Sequence, residues 1–446
     1  MIKWLKGMLV ASIVGCALHL LIIGVSLNIL LTGLSFSFIW LFGFGLPQHF
    51  IRSYWRRRFF KADDNQQLKV LYRLTSNPAA LFGVLVILYS VFLFVFAHVV
   101  APDHSPYAAQ QINELAFSKP GYKATIFKKP LSTGGSTYLE KLINGEQSEF
   151  RFLAITDAKA EVDSVRITRF FGDGLPGQIE HYSWKDLNLS PPNSKTEAAI
   201  KLNSLITERR FWLGTDDLGR DFLSRILVGL RVSLSVGFIA VIIALLIGIP
   251  IGAAAGFYKK YPPKFNLLKR TRRFPADGII MWLMSVIWSI PTLLLVFPIV
   301  FAFGQQYYTI FIAVGITMWV DIARITRGQV MQEREKEYVE ATRSLGFSQF
   351  RAIVLHILPN ITGPLIVVTA ANFAYAILTE AGLSFLGIGV QPPAPSWGLM
   401  ISRYKDNLVT DPHLALIPGF AITVLVLAFF LLGNGLRDAF DLRSER

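Results

Sequence analysis

One cluster of charged residues has the types and spacing that could do chemistry: Asp216, Asp217, Arg220, Asp221 and Arg225. Three carboxylates this close together could bind a cation, because hard metal ions prefer oxygen ligands. The arginines, however, stand within ion-pairing reach of the aspartates, and an aspartate before an apolar run is a good helix cap. We therefore favour a structural role, in which these side chains cap or pin the following helix, over a cation site.

Residues suited to catalysis or metal binding are sparse elsewhere. Cys16 is the only cysteine, and neither His104 nor His181 has a metal-ligand partner at a recognised spacing. The sequence also lacks the Gly-x-x-x-x-Gly-Lys-Ser/Thr loop that binds nucleotide phosphates. We predict no catalytic residue, no cofactor site and no metal site, and no ATP hydrolysis by this chain itself. A membrane enzyme is an alternative, but no nucleophile or metal spacing supports it.

A third pattern, in residues 333–359, predicts two short amphipathic helices that meet at a glycine. Gly346 stands where a left-handed cap ends the first helix, and Pro359 ends the second before the next apolar stretch. Such a corner is available for binding by a soluble partner. The alternative is a loop that only lies on the lipid surface, and the mixed charges of residues 333–359 disfavour that alternative. The predicted apolar faces are Tyr338, Ala341, Thr342 and Leu345 in the first helix, and Phe350, Ile353, Val354 and Ile357 in the second.

The elements that must position these residues are membrane spans. The 446 residues are 52% hydrophobic and only 17% charged, whereas soluble domains are about 25% charged. A charge at the bilayer centre costs about 3 kcal/mol, and a span needs about 20 apolar residues. Stretches without charge therefore predict spans, and they are Gly7–Phe50, Leu74–Pro102, Val232–Tyr258, Gly278–Val320, Ala352–Thr379 and Pro412–Leu436.

Two of these stretches are too long for a single span. Gly278–Val320 predicts two helices with a turn at 304–308, and Gly7–Phe50 predicts two short spans rather than one span and an interfacial piece. We disfavour a cleaved signal peptide, whose apolar region would be shorter. The predicted fold is thus an all-α polytopic membrane protein, with a six-helix core and an N-terminal hydrophobic hairpin.

Lysine and arginine predict the orientation. The segments 51–73 and 259–277 each contain seven basic residues, whereas the loop 101–213 contains fourteen basic and thirteen acidic ones. The positive-inside rule places the two basic segments and both termini in the cytoplasm and the balanced loop outside. The orientation in the membrane and contact with anionic lipid then account for much of the net charge of +14, so the charge does not require binding to nucleic acid.

The long loop predicts a small β-rich extracytoplasmic domain, with an irregular excursion packed on the membrane domain as the alternative. Its signals are two β-like runs, Phe150–Ile155 and Val162–Phe170, and a turn at 172–177. The predicted domains are a hairpin 1–50, a basic linker 51–73, a first core helix 74–102, an insertion 103–213, and a core 214–446 of five spans that contains the cytoplasmic loop 329–360.

The corner resembles the EAA loop of ABC importer permeases, and more narrowly that of the dipeptide, oligopeptide and nickel group. Its matching residues are Glu340, Ala341, Thr342, Gly346, His356, Leu358 and Pro359. The resemblance to this group covers about residues 70–106 and 213–442 of the chain. Further matches are Asn77–Ala79, Ala101–Pro102, Gly214, Thr215, Asp216, Gly219, Arg220, Asp221, Ser224, Arg225, Gly229, Arg231, Ser233, Ala323–Gln329, Glu380–Pro393, Pro395–Gly398 and Gly435–Asp441.

The resemblance implies a bacterial inner-membrane permease that imports peptides, nickel or similar small solutes. It also implies a second permease subunit, two cytoplasmic ATPase subunits that bind the ATP, and an extracytoplasmic substrate-binding protein. The corner would then be the coupling helix that docks on an ATPase subunit. Three features depart from the family pattern: Thr342 replaces its second alanine, the insertion is longer, and the N-terminal hydrophobic stretch is additional.

Two other functions are open at this stage. A secondary transporter would bury ionisable groups near the middle of the membrane, whereas Asp321 and Glu380 are expected near the ends of spans. A membrane-anchored receptor would act through the insertion.

Overall fold

The computed structural model describes residues 66–131, 141, 145–172, 175–260, 264–267, 270–273 and 276–440. The predicted hairpin 1–50 and most of the basic linker 51–73 lie outside the described residues. The helices are α1 (Gln66–Ser76), α2 (Pro78–Val100), α3 (Lys195–Leu205), α4 (Phe222–Tyr258), α5 (Ala276–Trp288), α6 (Thr292–Phe303), α7 (Tyr307–Glu333), α8 (Glu337–Ser344), α9 (Gln349–Ala352), α10 (Thr362–Phe385), α11 (Trp397–Tyr404) and α12 (His413–Phe440).

Among the described residues, five helices are long and apolar enough to cross a membrane: α2, α4, α7, α10 and α12. A sixth candidate is the pair α5 and α6, which is bent by 89° at a short break. The predicted fold class, a helical polytopic membrane protein with a small β-rich insertion, is confirmed.

The apolar stretch Gly278–Val320 differs from its predicted form. The turn predicted at 304–308 is present as a shorter break at 304–306, where Gly304 has a φ of +87°. The single helix expected before it is wrong, because the chain breaks at 289–291. Pro291 fixes its own φ and disfavours helix for the residue before it. The helix after the turn continues to Glu333, so Asp321, which follows the uncharged stretch, lies inside this helix.

Helices α4 and α7 approach each other closely through three glycines spaced four residues apart. A Cβ atom on Gly248, Gly252 or Gly256 would lie within 2.9 Å of a backbone oxygen or side chain of α7. Membrane helices pack through small residues because lipid provides no hydrophobic drive for their association. A larger side chain at these positions would force the two helices apart.

The insertion forms a five-stranded antiparallel sheet in the order β4-β3-β2-β1-β5. Helix α3 covers one face over a core that includes Phe127, Leu153 and Trp184. Ile112 and Phe211 belong to a second core on the other face. The strands are β1 (Tyr122–Pro130), β2 (Phe150–Ala160), β3 (Ser164–Arg169), β4 (Ile179–Ser183) and β5 (Ile206–Phe211), and a separate hairpin contains β6 (Lys264–Leu267) and β7 (Arg270–Arg273).

The predicted end of the first β-run is wrong. The polar residues after Ile155 were expected to separate two strands, but β2 continues through Ala160. The pairing explains this, because Asp157–Ala160 lie opposite Val165–Thr168 of β3. Polar side chains are tolerated there since alternate residues of a strand face solvent.

Candidate functional site

The corner between α8 and α9 is built by a glycine in the left-handed conformation. Gly346 has a φ of +80°, as its position in the sequence predicts. The Gly346 amide donates to the carbonyl of Arg343 at 2.9 Å, and the Phe347 amide donates to that of Thr342 at 3.1 Å. These two bonds form a Schellman cap. Ser348 then caps α9 by accepting a hydrogen bond from the Arg351 amide at 3.3 Å.

The buried face of the corner differs from the predicted one. Val339 and Thr342 are buried in α8, whereas Leu345 and Phe350 are 73% and 74% exposed. Periodicity alone identifies an apolar face but cannot say which side meets the core. Ala341 and Val354 are also exposed, so the correct members of the predicted faces are Thr342, Ile353 and Ile357, with Tyr338 half-buried.

The second half of the corner is helical through Asn360, so the break expected at Pro359 lies two residues later, at Ile361. Ile353–Ile357 form a π-helical turn, and Leu358–Asn360 continue as a short helix. A proline cannot donate to the preceding turn and crowds its carbonyl, and the wider π turn accommodates this. His356 stacks on Phe347 with ring centroids 5.8 Å apart.

The corner is held by the ends of two candidate spans. Val339, Ile353 and Ile357 pack in one apolar cluster with Phe257 of α4 and Leu365 of α10. Burial of such side chains stabilises the contact by about 1.5–3 kcal/mol each. A displacement of the corner must therefore move α4 and α10 or break this cluster.

Polar contacts reinforce the attachment to α4. Lys260 donates to the carboxylate of Glu335 at 2.5 Å, and Arg334 donates to the carbonyl oxygen of Gly256. Hydrogen bonds from Lys260 and Arg334 lower the pKa of Glu335. The remaining predicted residues of the corner are placed as follows: Glu340 and Pro359 are exposed, and His356 and Leu358 are half-buried.

The charged cluster near residue 220 lies at the opposite end of α4. Asp221 caps this helix by accepting from the Ser224 amide at 2.9 Å. Asp216 accepts from the Arg220 amide at 2.9 Å and from its guanidinium at 2.6 Å, and Arg225 Nε lies 3.4 Å from the same carboxylate. The geometry is that of the predicted cap and pin.

The same segment docks the insertion onto the membrane helices. A Cβ on Gly214 would lie 2.3 Å from the carbonyl oxygen of Ser118, and one on Gly219 would lie 1.8 Å from that of Ile112. Thr215 is fully buried and donates to the carbonyl oxygen of Leu115. Residues 214–225 therefore join the sheet to α4.

Sequence reasoning missed the partners of Asp217. Its carboxylate accepts from Arg403 Nε at 2.9 Å and from the Tyr404 hydroxyl at 2.8 Å. Burial opposes ionisation, but the hydrogen bonds from Arg403 and Tyr404 lower the pKa of Asp217. These residues stand on α11, far away in the sequence, so no local pattern could have identified them.

The fold and these two sites define a class of protein: a polytopic membrane protein with a helical corner available to a partner. The model of the family described as "Binding-protein-dependent transport system inner membrane component" matches residues 248–446. The chain belongs to this family, and is therefore a permease subunit of an ABC transport system. It is a multi-pass inner-membrane protein that acts in a complex with ATPase subunits.

Three relatives illustrate the similarity. A glutathione transport system permease from Pectobacterium atrosepticum is 38% identical over 52% of this chain and 72% of its own length. A di/tripeptide transport system permease from Pseudomonas aeruginosa is 40% identical over 52% of this chain and 73% of its own. An oligopeptide transport system permease from Bacillus subtilis is 39% identical over 52% and 71%.

Proposed function

We propose that this chain forms half of the translocation path of an importer for peptides or similar small solutes. The relatives above carry glutathione, di/tripeptides and oligopeptides in their names, which supports a peptide-class substrate. The proposal includes a second permease subunit, two ATPase subunits and an extracytoplasmic binding protein. It places both termini and the corner in the cytoplasm and the sheet outside, in agreement with the distribution of basic residues.

The observation that carries this function is the two-sided corner. Its inner side packs against α4 and α10, while Leu345 and Phe350 project from its outer side with about three quarters of their surface exposed. Burial of these two side chains in a partner's cleft would contribute about 1.5–3 kcal/mol each. The corner can therefore bind a partner and pass its movement to two spans.

We propose a two-state mechanism for the coupling. Closure of the ATPase subunits on ATP favours one packing of the membrane helices, and hydrolysis restores the other. A partner can shift this equilibrium only by its differential affinity for the two states. In this mechanism the chain supplies the gate, and the energy is supplied by ATP bound to the partner subunits.

Transport by the reconstituted complex tests the proposal. We expect proteoliposomes that contain both permeases and the ATPases to take up a labelled dipeptide when the binding protein and ATP are supplied. Phe350→Ser should lower this uptake at least tenfold, while Val354→Ser, on the same segment but half as exposed, should lower it less. Uptake driven by a proton gradient without ATP would contradict the proposal and favour a secondary transporter.

A further inference from the structure

The structure leaves one carboxylate exposed on a helix that is a candidate span. Asp321 follows Tyr307 by fourteen residues and precedes Glu333 by twelve in helix α7. At 1.5 Å per residue, it lies about 21 Å and 18 Å from the two ends of the helix. Its side chain is exposed. Contact between a charged side chain and lipid is unfavourable, so a carboxylate on such a helix is expected to face water or another protein.

The exposed face of α7 changes around Asp321. The half of the helix that precedes it exposes Ile312 and Ile316, which suit lipid or an apolar partner. At 100° per residue, Asp321 lies about 180° away from Ile312. The exposed residues on this second face are Asp321, Ile325, Gly328 and Gln332, so it carries a charge and a polar side chain as well as one isoleucine.

A cation and an aromatic ring lie beside the carboxylate. Arg324 follows Asp321 by three residues on α7, and its guanidinium carbon lies 4.0 Å from the centre of the Trp288 ring. Arg324 Nε is buried and has no hydrogen-bond partner among the described residues. Trp288 is 61% exposed at the 89° bend between α5 and α6.

These three groups match the chemistry of a peptide with free ends. Residues three apart on a helix have Cβ atoms about 5–6 Å apart, and an extended dipeptide is about 7 Å long. Asp321 can therefore bind an ammonium group while Arg324 binds a carboxylate of the same small molecule. An aromatic face such as that of Trp288 can pack against apolar side chains.

We propose that Asp321, Arg324 and Trp288 form a substrate-contact site in the translocation path for zwitterionic peptides. This inference rests on the peptide-permease function proposed above and assigns residues to it. A face that displays both signs of charge and an exposed indole suits a zwitterion better than lipid. An interface with the second permease subunit is the other possible occupant, and the experiment distinguishes the two.

Cysteine accessibility in the assembled transporter tests the site. Cys16 is the only native cysteine, so Cys16→Ser provides a background for Asp321→Cys, for Trp288→Cys, which retains both charges, and for the control Ile316→Cys. Membranes are treated with a charged, membrane-impermeant methanethiosulfonate. We expect cysteine at 321 and 288 to react at least tenfold faster than cysteine at 316. We also expect saturating dialanine to slow the Trp288→Cys reaction at least threefold, and N-acetyl-dialanine amide to have no effect.

Slow reaction at both 288 and 321 would overturn the inference and indicate a lipid-facing or subunit-facing surface. Fast reaction that dialanine does not slow would also overturn it, because the path would then contain no peptide contact here. The proposed function is judged separately, by ATP-dependent uptake of dialanine in the Cys16→Ser background. Uptake without protection at 288 therefore rejects this site alone, whereas absence of uptake rejects the peptide function.

Discussion

At the corner, the positive φ of residue 346 favours glycine over every other residue. Gly346 has a φ of +80°, and no described atom lies within 4 Å of the position that a Cβ would occupy. A side chain is therefore opposed by the backbone conformation and not by a clash. The left-handed conformation costs about 1–2 kcal/mol for an ordinary residue, and more for a β-branched one.

We predict that Gly346→Val leaves membrane insertion intact but lowers ATP-driven uptake at least tenfold, because the two helices of the corner no longer meet at the native angle. The matched control is Gly278→Val, at a helical glycine that also has no described atom within 4 Å of its Cβ position. Immunoblots of membranes and uptake assays measure the two quantities. Wild-type uptake in Gly346→Val would contradict the docking role of the corner.

A second residue-scale prediction concerns Glu180 in the sheet. Its carboxylate accepts hydrogen bonds from the Tyr182 hydroxyl and from Arg169 Nη1. Burial raises the pKa of Glu180, but the bonds from Tyr182 and Arg169 outweigh it and leave the pKa below the ordinary 4.5. A lowered pKa means that the ionised carboxylate stabilises the fold above about pH 4.5, and that this stability is lost as the pH falls through the folded-state pKa.

We therefore expect amide exchange in β3 and β4 to accelerate as the pH falls below about 4.5, after correction for intrinsic rates. Glu180→Gln should reduce this pH dependence, and Glu208→Gln, an exposed carboxylate on β5, should leave it unchanged. Hydrogen–deuterium exchange of the purified full chain measures the effect. Identical pH profiles for Glu180→Gln and the wild type would contradict the assignment.

At the scale of elements, the contact between the insertion and α4 depends on close approach of the backbone at Gly214 and Gly219. The Cβ of Gly219→Ala would lie 1.8 Å from the Ile112 carbonyl oxygen, whereas that of the control Gly121→Ala would lie 3.8 Å from its nearest neighbour, Arg210. Gly219 and Gly121 both have positive φ. Comparison of the two variants therefore separates the clash from the backbone strain.

We predict that Gly219→Ala makes the segment 103–118 sensitive to protease in intact spheroplasts, because the sheet can no longer sit on α4. Gly121→Ala should remain as resistant as the wild type. Limited proteolysis followed by mass spectrometry measures the difference. Equal resistance of the two variants would show that the close approach at Gly219 does not hold the insertion in place.

Local signals predicted the elements that depend on neighbouring residues. Gly346 gave the end of α8. Asn77 and Pro78, which match the family pattern, stand at the start of α2, where the Asn77 side chain accepts from the Ala79 amide, although the predicted helix began at residue 74. Pro291 is a local signal for the bend between α5 and α6. This signal was missed because the span boundaries were assigned from the absence of charged residues alone. The buried face of α8 had none, because periodicity does not identify the side that meets the core.

Long-range contacts could not be predicted from one sequence. Asp217 meets Arg403 and Tyr404 across a separation of nearly two hundred residues, and the fold alone brings them together. The length of α7 was missed for a similar reason. The uncharged stretch ends at Val320, but the helix continues to Glu333, and Arg327 in its charged part binds Asp277 of α5 at 2.7 Å.

At the scale of the whole molecule, one helix joins the two sites. Helix α4 is 37 residues long, or about 55 Å at 1.5 Å per residue. Asp221 caps it beside the sheet, and Phe257 packs against the corner at its other end. A movement at either end of α4 therefore acts on the same element, in agreement with the two-state mechanism proposed above.

The central claim is that an ATPase subunit binds the corner between α8 and α9. Photocrosslinking from the corner tests this claim most directly. Leu345→Cys in the Cys16→Ser background is coupled to benzophenone maleimide in the assembled, transport-active complex. Val409→Cys, at a residue that is 94% exposed near the other end of α4, is the control. We predict that illumination joins the ATPase subunit to position 345 and not to position 409. No ATPase adduct at 345, or labelling of that cysteine by an impermeant reagent in intact cells, would contradict the account.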